Sequence, residues 1–140
     1  MNPLVPEEFV AIDIETTGLN PKHDDIIEIA AVLFKKGEPS GAFTSLIRTK
    51  KTLSIFIVSL TGIRQEDVEQ GRPVREVLEG FLAFIAGRPL VAHNKDFDLS
   101  FIGNRLFVIR PTNESSAKMA KLRIKIELFS TESNQASCLR

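Results

Sequence analysis

The sequence has no net charge, because Lys plus Arg and Asp plus Glu both total 18 among its 140 residues. This balance excludes a protein that binds nucleic acid through an overall basic field, so any such binding must rest on local features. The charges are unevenly distributed: residues 1–109 contain 12 basic and 15 acidic side chains, whereas residues 110–140 contain 6 and 3. The last segment is therefore a basic tail, which suits either contacts with phosphates or simple solvation.

Cysteine and long apolar segments are also scarce. Cys138 is the only cysteine, which excludes a disulfide within the chain and a secreted fold held by disulfides. No apolar stretch is long enough to span a membrane, and residues 1–8 contain no basic run followed by an apolar segment. The sequence predicts a soluble, cytoplasmic protein with no membrane partner.

The first part of the chain contains three short apolar segments, residues 9–14, 26–34 and 42–47. They predict three strands. Residues 35–41 (KKGEPSG) contain two glycines and a proline, which predict a hairpin connection between the second and third strands. Three consecutive strands would form an antiparallel meander.

Apolar residues recur at three and four residue spacing between Pro73 and Gly87, which predicts a helix. Residues 89–92 (PLVA) then predict a short strand, and a second helix starts at about Asp96. The order βββαβα predicts an α/β fold, in which a three-strand antiparallel meander and one parallel strand form a mixed sheet with flanking helices.

This predicted domain spans residues 1–109, and residues 110–140 form a divergent basic tail. Within the tail, apolar and charged residues alternate over residues 122–128 (LRIKIEL). The alternation has the period of a strand and predicts one added strand.

Two acidic residues interrupt the first predicted strand. Asp13 and Glu15 are two residues apart, so both side chains leave the same face with α-carbons about 6.6 Å apart. The isoleucines beside them occupy the other face, so the acids need solvent or a metal ion to offset their charge. A solvated acidic face is the alternative interpretation. The glycine turn at residues 16–18 (TTG) favours a site, since it exposes backbone amides and hydroxyls to a nucleotide.

Asp98 is the third candidate acid. It lies where a predicted strand gives way to a helix, and a helix start favours an ionised carboxylate. Asp96 is the rival, but a helix that begins there is expected to use it as the N-cap. His93 is interpreted as a hydrogen-bonded structural group, with a ligand or a base as the alternative. Phe97 and Phe101 suit either stacking on a base or core packing, and core packing is expected of Phe101.

Residues 9–19 (FVAIDIETTGL) resemble the first motif of the DEDD superfamily of 3′-to-5′ exonucleases. Residues 93–102 (HNKDFDLSFI) resemble its second motif, whose catalytic acid falls on Asp98. Residues 60–63 (LTGI) resemble a connector in the branch that is similar to the DNA polymerase III epsilon subunit. The resemblance covers about residues 8–107 and implies a ribonuclease H-like fold.

The resemblance implies that Asp13, Glu15 and Asp98 are both the catalytic and the metal-binding residues. Two Mg²⁺ or Mn²⁺ ions would then act in the hydrolysis of nucleotides from a DNA 3′ end. Asp13 would bridge both ions, Glu15 would bind one and help to place the attacking water, and Asp98 would hold the second. The implied partners are single-stranded DNA or DNA 3′ ends and a DNA polymerase subunit, in DNA replication or repair. The implied substrate-binding residues are Thr16, Thr17, Gly18, Leu19 and Asn94.

The third motif of the family is absent. In the histidine-bearing branch a His is followed five residues later by an Asp, and the sequence after Asp98 contains neither residue type. The tyrosine-bearing branch replaces that His by Tyr, which the sequence lacks. Loss of the general base should cost about 10² to 10⁴ in rate, and loss of a ligand should leave one ion weakly held. We expect little or no nuclease activity from this chain alone.

Three interpretations follow. An exonuclease domain, weakly active or part of an active enzyme, explains the two matched motifs. A non-catalytic module that binds nucleic acid or a polymerase explains the missing motif and the basic tail. A truncated or frame-shifted coding sequence explains a fold that is C-terminally incomplete. A further departure from the family is residues 53–59 (LSIFIVS), an apolar run that predicts a strand or a surface that contacts other proteins.

Overall fold

The computed structural model describes residues 6–109, with side chains through residue 106. The predicted strand at residues 122–128 and the rest of the tail lie outside the described residues. The elements in chain order are β1 Glu8–Thr16, β2 Ile26–Lys35, β3 Glu38–Leu46, α1 Ile55–Thr61, α2 Gln65–Glu69, α3 Val74–Ile85, β4 Leu90–Ala92 and α4 Lys95–Ile109.

The strands form one mixed sheet in the order β3-β2-β1-β4. β1 pairs antiparallel with β2, and β2 pairs antiparallel with β3. β4 pairs in parallel with β1 through Val10, Ala11 and Ile12 alone, so the second half of β1 extends past the end of β4. The predicted meander with one parallel strand is confirmed.

The connection between β2 and β3 is shorter than the predicted residues 35–41. Lys36 and Gly37 alone lie between the two strands. Both have positive φ, 50° and 80°, as two-residue hairpin turns of type I′ require. Pro39 was expected in the turn but lies inside β3, which tolerates it because β3 is an edge strand of the sheet.

Residues 53–59 do not form the predicted strand, since most of them belong to α1. The Ser54 hydroxyl accepts a hydrogen bond from the Ile57 amide at 3.1 Å and caps the start of the helix. Gly62, with a φ of 74°, ends it. The β-branched residues suggested a strand, but strand propensity is weak and depends on context. Here a cap at each end determines the outcome.

Two apolar clusters hold the helices to the sheet. The larger cluster joins one face of β1 and β2 to α3 and α4, and it includes Phe101, which is fully buried as expected. The predicted helix after Pro73 is confirmed as α3, which buries Val77, Leu78, Phe81 and Ile85. The smaller cluster lies beneath α1 and α2 and consists of Ile27, Leu53, Ile57, Ile63 and Val68.

None of the helices within residues 6–109 is long and apolar enough to cross a membrane.

Gly71 is buried where the segment after α2 meets the end of β3. A Cβ there would lie 2.6 Å from the Arg48 backbone nitrogen and 2.7 Å from the Ile47 carbonyl carbon. We expect Gly71→Ala to lower the free energy of unfolding by about 1–3 kcal/mol, because backbone atoms cannot move aside as a flexible side chain can. Gly41→Ala is the matched control, since its Cβ would meet only Phe84 at 3.8 Å. Urea unfolding compares the two variants, and equal stabilities would contradict the prediction.

Candidate active site

β1 carries Asp13 and Glu15 on the face opposite the larger core cluster. Val10, Ile12 and Ile14 are 0%, 5% and 5% exposed, whereas Asp13 is exposed and Glu15 is half-buried. Because side chains alternate along a strand, both carboxylates lie on one side of the sheet, as the sequence predicts.

Asp98 reaches the end of β1 from the first turn of α4. The Val10 amide donates to the Pro89 carbonyl at 2.9 Å, so every second amide of β1 points toward β4. The Ile14 amide has this direction but lies beyond the residues of β1 that pair with β4. It interacts there with the Asp98 carboxylate. Asp98 is 4% exposed, so the acid at this position is a buried one.

Burial is the main cause that raises the pKa of Asp98 to about 7, and the negative charge of Asp13 adds to it. The amides of Asp98 itself and Ile14 act in the opposite direction, and Glu15 raises the pKa slightly further. Among the described residues, Oδ1 of Asp98 is buried without a hydrogen-bond partner. A buried carboxyl with an unsatisfied oxygen is costly unless it is protonated or meets a cation.

Glu28 is a fourth acid, which the sequence analysis missed. It lies in β2 directly opposite Glu15, so the two side chains share one face of the sheet. Burial, followed by the charge of Asp13, raises the pKa of Glu28. The register between β1 and β2 identifies this neighbour, and it depends on the connection of residues 17–25 and on the irregularity between Glu15 and Thr16, neither of which the sequence predicts.

The residues that the structure describes contain no group of three or more His, Cys, Asp or Glu side chains that could hold a metal ion as they stand. Asp13, Glu15 and Asp98 nevertheless fit Mg²⁺ or Mn²⁺ in donor type, because these ions prefer carboxylate oxygens. The unsatisfied Oδ1 of Asp98 fits a cation as well. Water or phosphate oxygens would have to complete the coordination, as is usual for Mg²⁺.

An open cavity of about 580 Å³ includes one of these acids, Glu15, in its wall. One wall is formed by residues 14–19, at the end of β1 and in the loop that follows, and includes Glu15. All four residues from Thr16 to Leu19 that were predicted to hold a terminal nucleotide lie in this wall. The opposite wall comes from α1, through Phe56, Ile57 and Leu60, and Phe97 of α4 also lines the cavity.

The side chains of α1 were not among the predicted site residues. Phe56 and Leu60 are 71% and 67% exposed, and Leu19 across the cavity is 84% exposed. Large apolar side chains that face solvent around a cavity mark a binding surface. The apolar character of residues 53–59 was the available signal, but its interpretation as a strand concealed which side chains share a helix face.

Residues 93–96 lie just before and at the start of α4. The Asn94 side-chain oxygen accepts a hydrogen bond from the Phe97 amide at 3.3 Å and caps α4, and Asn94 is not part of the cavity wall. The prediction of Asp96 as the N-cap was wrong, because α4 begins one residue earlier, and Asp96 is exposed in its first turn. His93 is exposed before the helix.

Comparison with known proteins identifies the family. A family model described as "Exonuclease" (RNase_T) matches residues 10–135. This chain belongs to the exonuclease family. It is 45% identical over 98 residues to a DNA polymerase III PolC-type of Caldanaerobacter subterraneus, across 70% of this chain and 7% of that protein. It is 42% identical over 97 residues to the 3′-5′ exonuclease DinG of Bacillus subtilis, across 69% of this chain and 10% of that protein.

A solved structure shows the same relationship. The nuclease domain of 3′hExo, described as a DEDDh family member bound to rAMP, superposes with a TM-score of 0.64 and 25% identity. The match covers 74% of this chain and 60% of that domain. The predicted ribonuclease H-like exonuclease fold and the predicted family are confirmed. Members of this family generally depend on a divalent metal ion.

The chain spans about a tenth or less of the length of these curated relatives. The family match also crosses the predicted domain boundary at residue 109 and continues to residue 135. The sequence similarities relate this exonuclease domain to 3′-5′ exonucleases and to DNA polymerase III proteins.

The buried Asp98 predicts an unusual dependence of stability on pH. Its pKa is about 7 in the folded chain against an ordinary value of 3.8, so between these pH values the folded state holds the proton more tightly than the unfolded state. Stability should then fall as pH rises toward 7. In EDTA at pH 8 we expect Asp98→Asn to be more stable than the wild type by up to about 4 kcal/mol, since each pKa unit of difference corresponds to about 1.4 kcal/mol.

The difference between Asp98→Asn and the wild type should shrink as pH falls through 7 and disappear below 3.8, where the wild-type carboxyl is protonated in both states. Asp96→Asn is the matched control, because Asp96 is an exposed acid in the same helical turn. Urea unfolding across this pH range measures all three proteins. A wild type at pH 8 as stable as Asp98→Asn would show that Asp98 is not the costly group.

Proposed function

We propose that this domain acts on the 3′ end of single-stranded DNA as a 3′-to-5′ exonuclease, and that this chain alone binds such an end much better than it hydrolyses it. The observation that carries the proposal is that one of the acids belongs to the cavity wall. Glu15 lies in the cavity wall, so a nucleotide in the cavity would place its phosphate beside the carboxylates. The PolC-type relatives support a DNA polymerase as the partner of the domain.

Binding would rest mainly on apolar contacts. Phe56 and Leu60 face the loop of Leu19 across the cavity, and aromatic and aliphatic surfaces of this kind suit an unpaired base. No Lys or Arg lines the cavity among the described residues. The phosphate charge must therefore be offset by a cation rather than by basic side chains, and affinity should depend more on divalent ions than on salt concentration.

Asp13, Glu15 and Asp98 are the residues that would hold a divalent ion. Such an ion lowers the pKa of a bound water and neutralises charge on the phosphate oxygens. Asp13 is exposed and reaches solvent, and Glu15 extends the acids into the cavity. Without a cation, the Asp98 carboxyl holds a proton on part of the molecules at neutral pH, since its pKa is about 7.

Among the described residues, no His or Tyr lines the cavity as a general base could. The sequence after Asp98 contains no His, Asp or Tyr, and the exposed His93 is not part of the cavity wall. Binding and positioning are therefore available from the described residues, while the proton transfer from water lacks a dedicated acceptor. This supports strong binding with weak hydrolysis.

The first test concerns binding. Phe56→Ala should weaken the affinity for a fluorescent single-stranded oligonucleotide by about 5-fold to 150-fold, because stacking on one aromatic side chain contributes about 1–3 kcal/mol. Ile55→Ala is the matched control: Ile55 is 87% exposed on the same helix but does not line the cavity. Fluorescence anisotropy measures both. The same loss in both variants would sink the assignment of the cavity as the base site.

The second test concerns hydrolysis. With Mn²⁺ or Mg²⁺, the chain should release nucleotides from a 3′-labelled single strand about 10² to 10⁴ times more slowly than the B. subtilis DinG protein, since it lacks the general base. Asp13→Asn should abolish this residual release, and Asp96→Asn should not. The measurement is chromatography of the released mononucleotides.

A non-catalytic nucleic-acid-binding module is the second candidate, and the missing third motif favours it. It predicts that wild type and Asp13→Asn release the same background amount, while both bind the oligonucleotide. The change in melting temperature on addition of Mn²⁺ separates the two candidates further, because the exonuclease proposal requires a cation that stabilises the wild type more than Asp13→Asn. Release without binding of a cation would contradict both.

A further inference from the structure

The loop of residues 17–25 joins β1 to β2. It contributes Thr17, Gly18 and Leu19 to the cavity wall. Two hydrogen bonds of 2.9 Å close its base: the Thr17 amide donates to the Asp25 carbonyl, and the Asp25 amide donates to the Thr17 hydroxyl. Asp25 therefore fixes where Thr17 begins the loop. The position of Gly18 and Leu19 depends on this junction, because they follow Thr17 directly.

The far half of α4 holds the same loop from outside. The Asn104 side-chain amide donates to the Pro21 carbonyl at 2.6 Å. Nη2 of Arg105 donates to the Asp24 carbonyl at 2.7 Å and to Oδ1 of Asp25 at 2.5 Å. These contacts join residues about 80 positions apart in sequence, so the loop takes its position from α4 as well as from its own strands.

The Asp25 carboxylate is held from two sides. One oxygen accepts from Arg105, and the other accepts from the Thr49 hydroxyl at 2.6 Å. The Arg105 and Asp25 side chains are only 22% and 27% exposed. Removal of one partner from a partly buried pair leaves the other charge without compensation and is costly. The ion pair is therefore a specific anchor of the loop, unlike the exposed ion pairs elsewhere on the surface.

Arg105 and Asp98 lie on the same face of α4. They are seven residues apart, which corresponds to about 10.5 Å along the axis and to about 20° of rotation. The N-terminal end of this helix face presents Asp98 to β1, and its C-terminal part holds the loop through Arg105. Between them Phe101 and Ile102 are buried in the core, so the helix cannot slide without disrupting the packing.

We infer that Arg105, acting through Asp25, is a positioning residue that sets the distance between the nucleotide-binding loop and Asp98. Arg105 does not line the cavity, and its effect on a nucleotide is exerted through Thr17–Leu19. The inference rests on the proposed function of the cavity as the site for a 3′-terminal nucleotide. It assigns the affinity for that nucleotide partly to a side chain outside the site.

The experiment uses a fluorescent reporter in the loop. The sequence contains no Trp and no Tyr, so Leu19→Trp introduces a single indole whose emission reports on the loop alone. Its anisotropy in the free protein measures loop mobility, and its quenching by a single-stranded oligonucleotide measures binding. In this background we compare Arg105→Met, Arg105→Lys and Arg88→Met.

Arg105→Met should lower the anisotropy of the indole reporter in the free protein and weaken oligonucleotide binding by about 10-fold, the loss expected when roughly 1.4 kcal/mol of interaction is removed. Arg105→Lys should restore most of both, because a single nitrogen of Arg105 makes both contacts and one ammonium can replace it. Arg88→Met is the matched control: Arg88 is 27% exposed, donates to Glu8 at 3.0 Å and lies in another ion pair.

The outcomes separate this inference from the proposed function. If the wild type with native Leu19 and Arg105 does not bind a fluorescent oligonucleotide at low salt, the proposed function fails, while the anisotropy of the free reporter protein still decides whether Arg105 positions the loop. Equal anisotropy and equal affinity in Arg105→Met and Arg88→Met would overturn the inference. A loss of affinity that Arg105→Lys does not restore would also overturn the inference. So would losses of affinity in Arg105→Met and Arg88→Met that simply parallel the decrease in their melting temperatures, since this would show only a structural role.

Discussion

The alternation of β1 is the constraint on which the rest of the structure depends. β1 lies between β2 and β4 in the sheet, and its buried side chains pack against α3 and α4. Because successive side chains point to opposite faces, burial of Ile12 and Ile14 fixes Asp13 and Glu15 on the other face. A slip of one residue would bury both acids and expose the isoleucines. Core and candidate site are therefore two sides of one strand and cannot change independently.

Asp98 follows from the same strand by a different route. β4 ends early, so the Ile14 amide lacks a strand partner on that side, and the first turn of α4 brings a carboxylate to it. The position is unfavourable for a charged group, since burial and Asp13 both oppose ionisation. The packing of Leu99, Phe101 and Ile102 holds Asp98 there regardless. A carboxyl that the core keeps in an unfavourable environment is a common sign of function rather than of stability.

Much of this arrangement could be predicted from the sequence. Four strands, the pairing of the meander, α3, α4 and the placement of the two β1 acids follow from periodicities of two and 3.6 residues. The sequence predicted that Gly18 lies in a turn, and the structure shows why a glycine is needed there. A Cβ at this position would lie 2.5 Å from the Asp24 carboxylate. The sequence predicted a glycine turn, but not the side chain that needs the space.

The predictions that failed share one physical cause, which is that local composition does not determine tertiary neighbours. The short apolar run of α1 fits a strand until its caps and the cluster of Ile27, Leu53 and Val68 beneath it are known. Glu28 is an isolated acid until the register places it opposite Glu15. Phe56 and Leu60 acquire a role only because α1 lies across from residues 14–19.

Under the proposed function, the residues that bind the strand end and the acids come partly from different elements of the chain. The loop of residues 17–25 and α1 form most of the cavity, while the acids come from β1 and α4. Phe56, Leu60 and Arg105 lie on or act on the binding part without changing the carboxylates. β1 and α4 belong to both sets, since Glu15 and Phe97 line the cavity as well. Substitutions in α1 change the cavity wall without removing a carboxylate, so under the proposed function Phe56→Ala and Asp13→Asn should affect binding and hydrolysis differently.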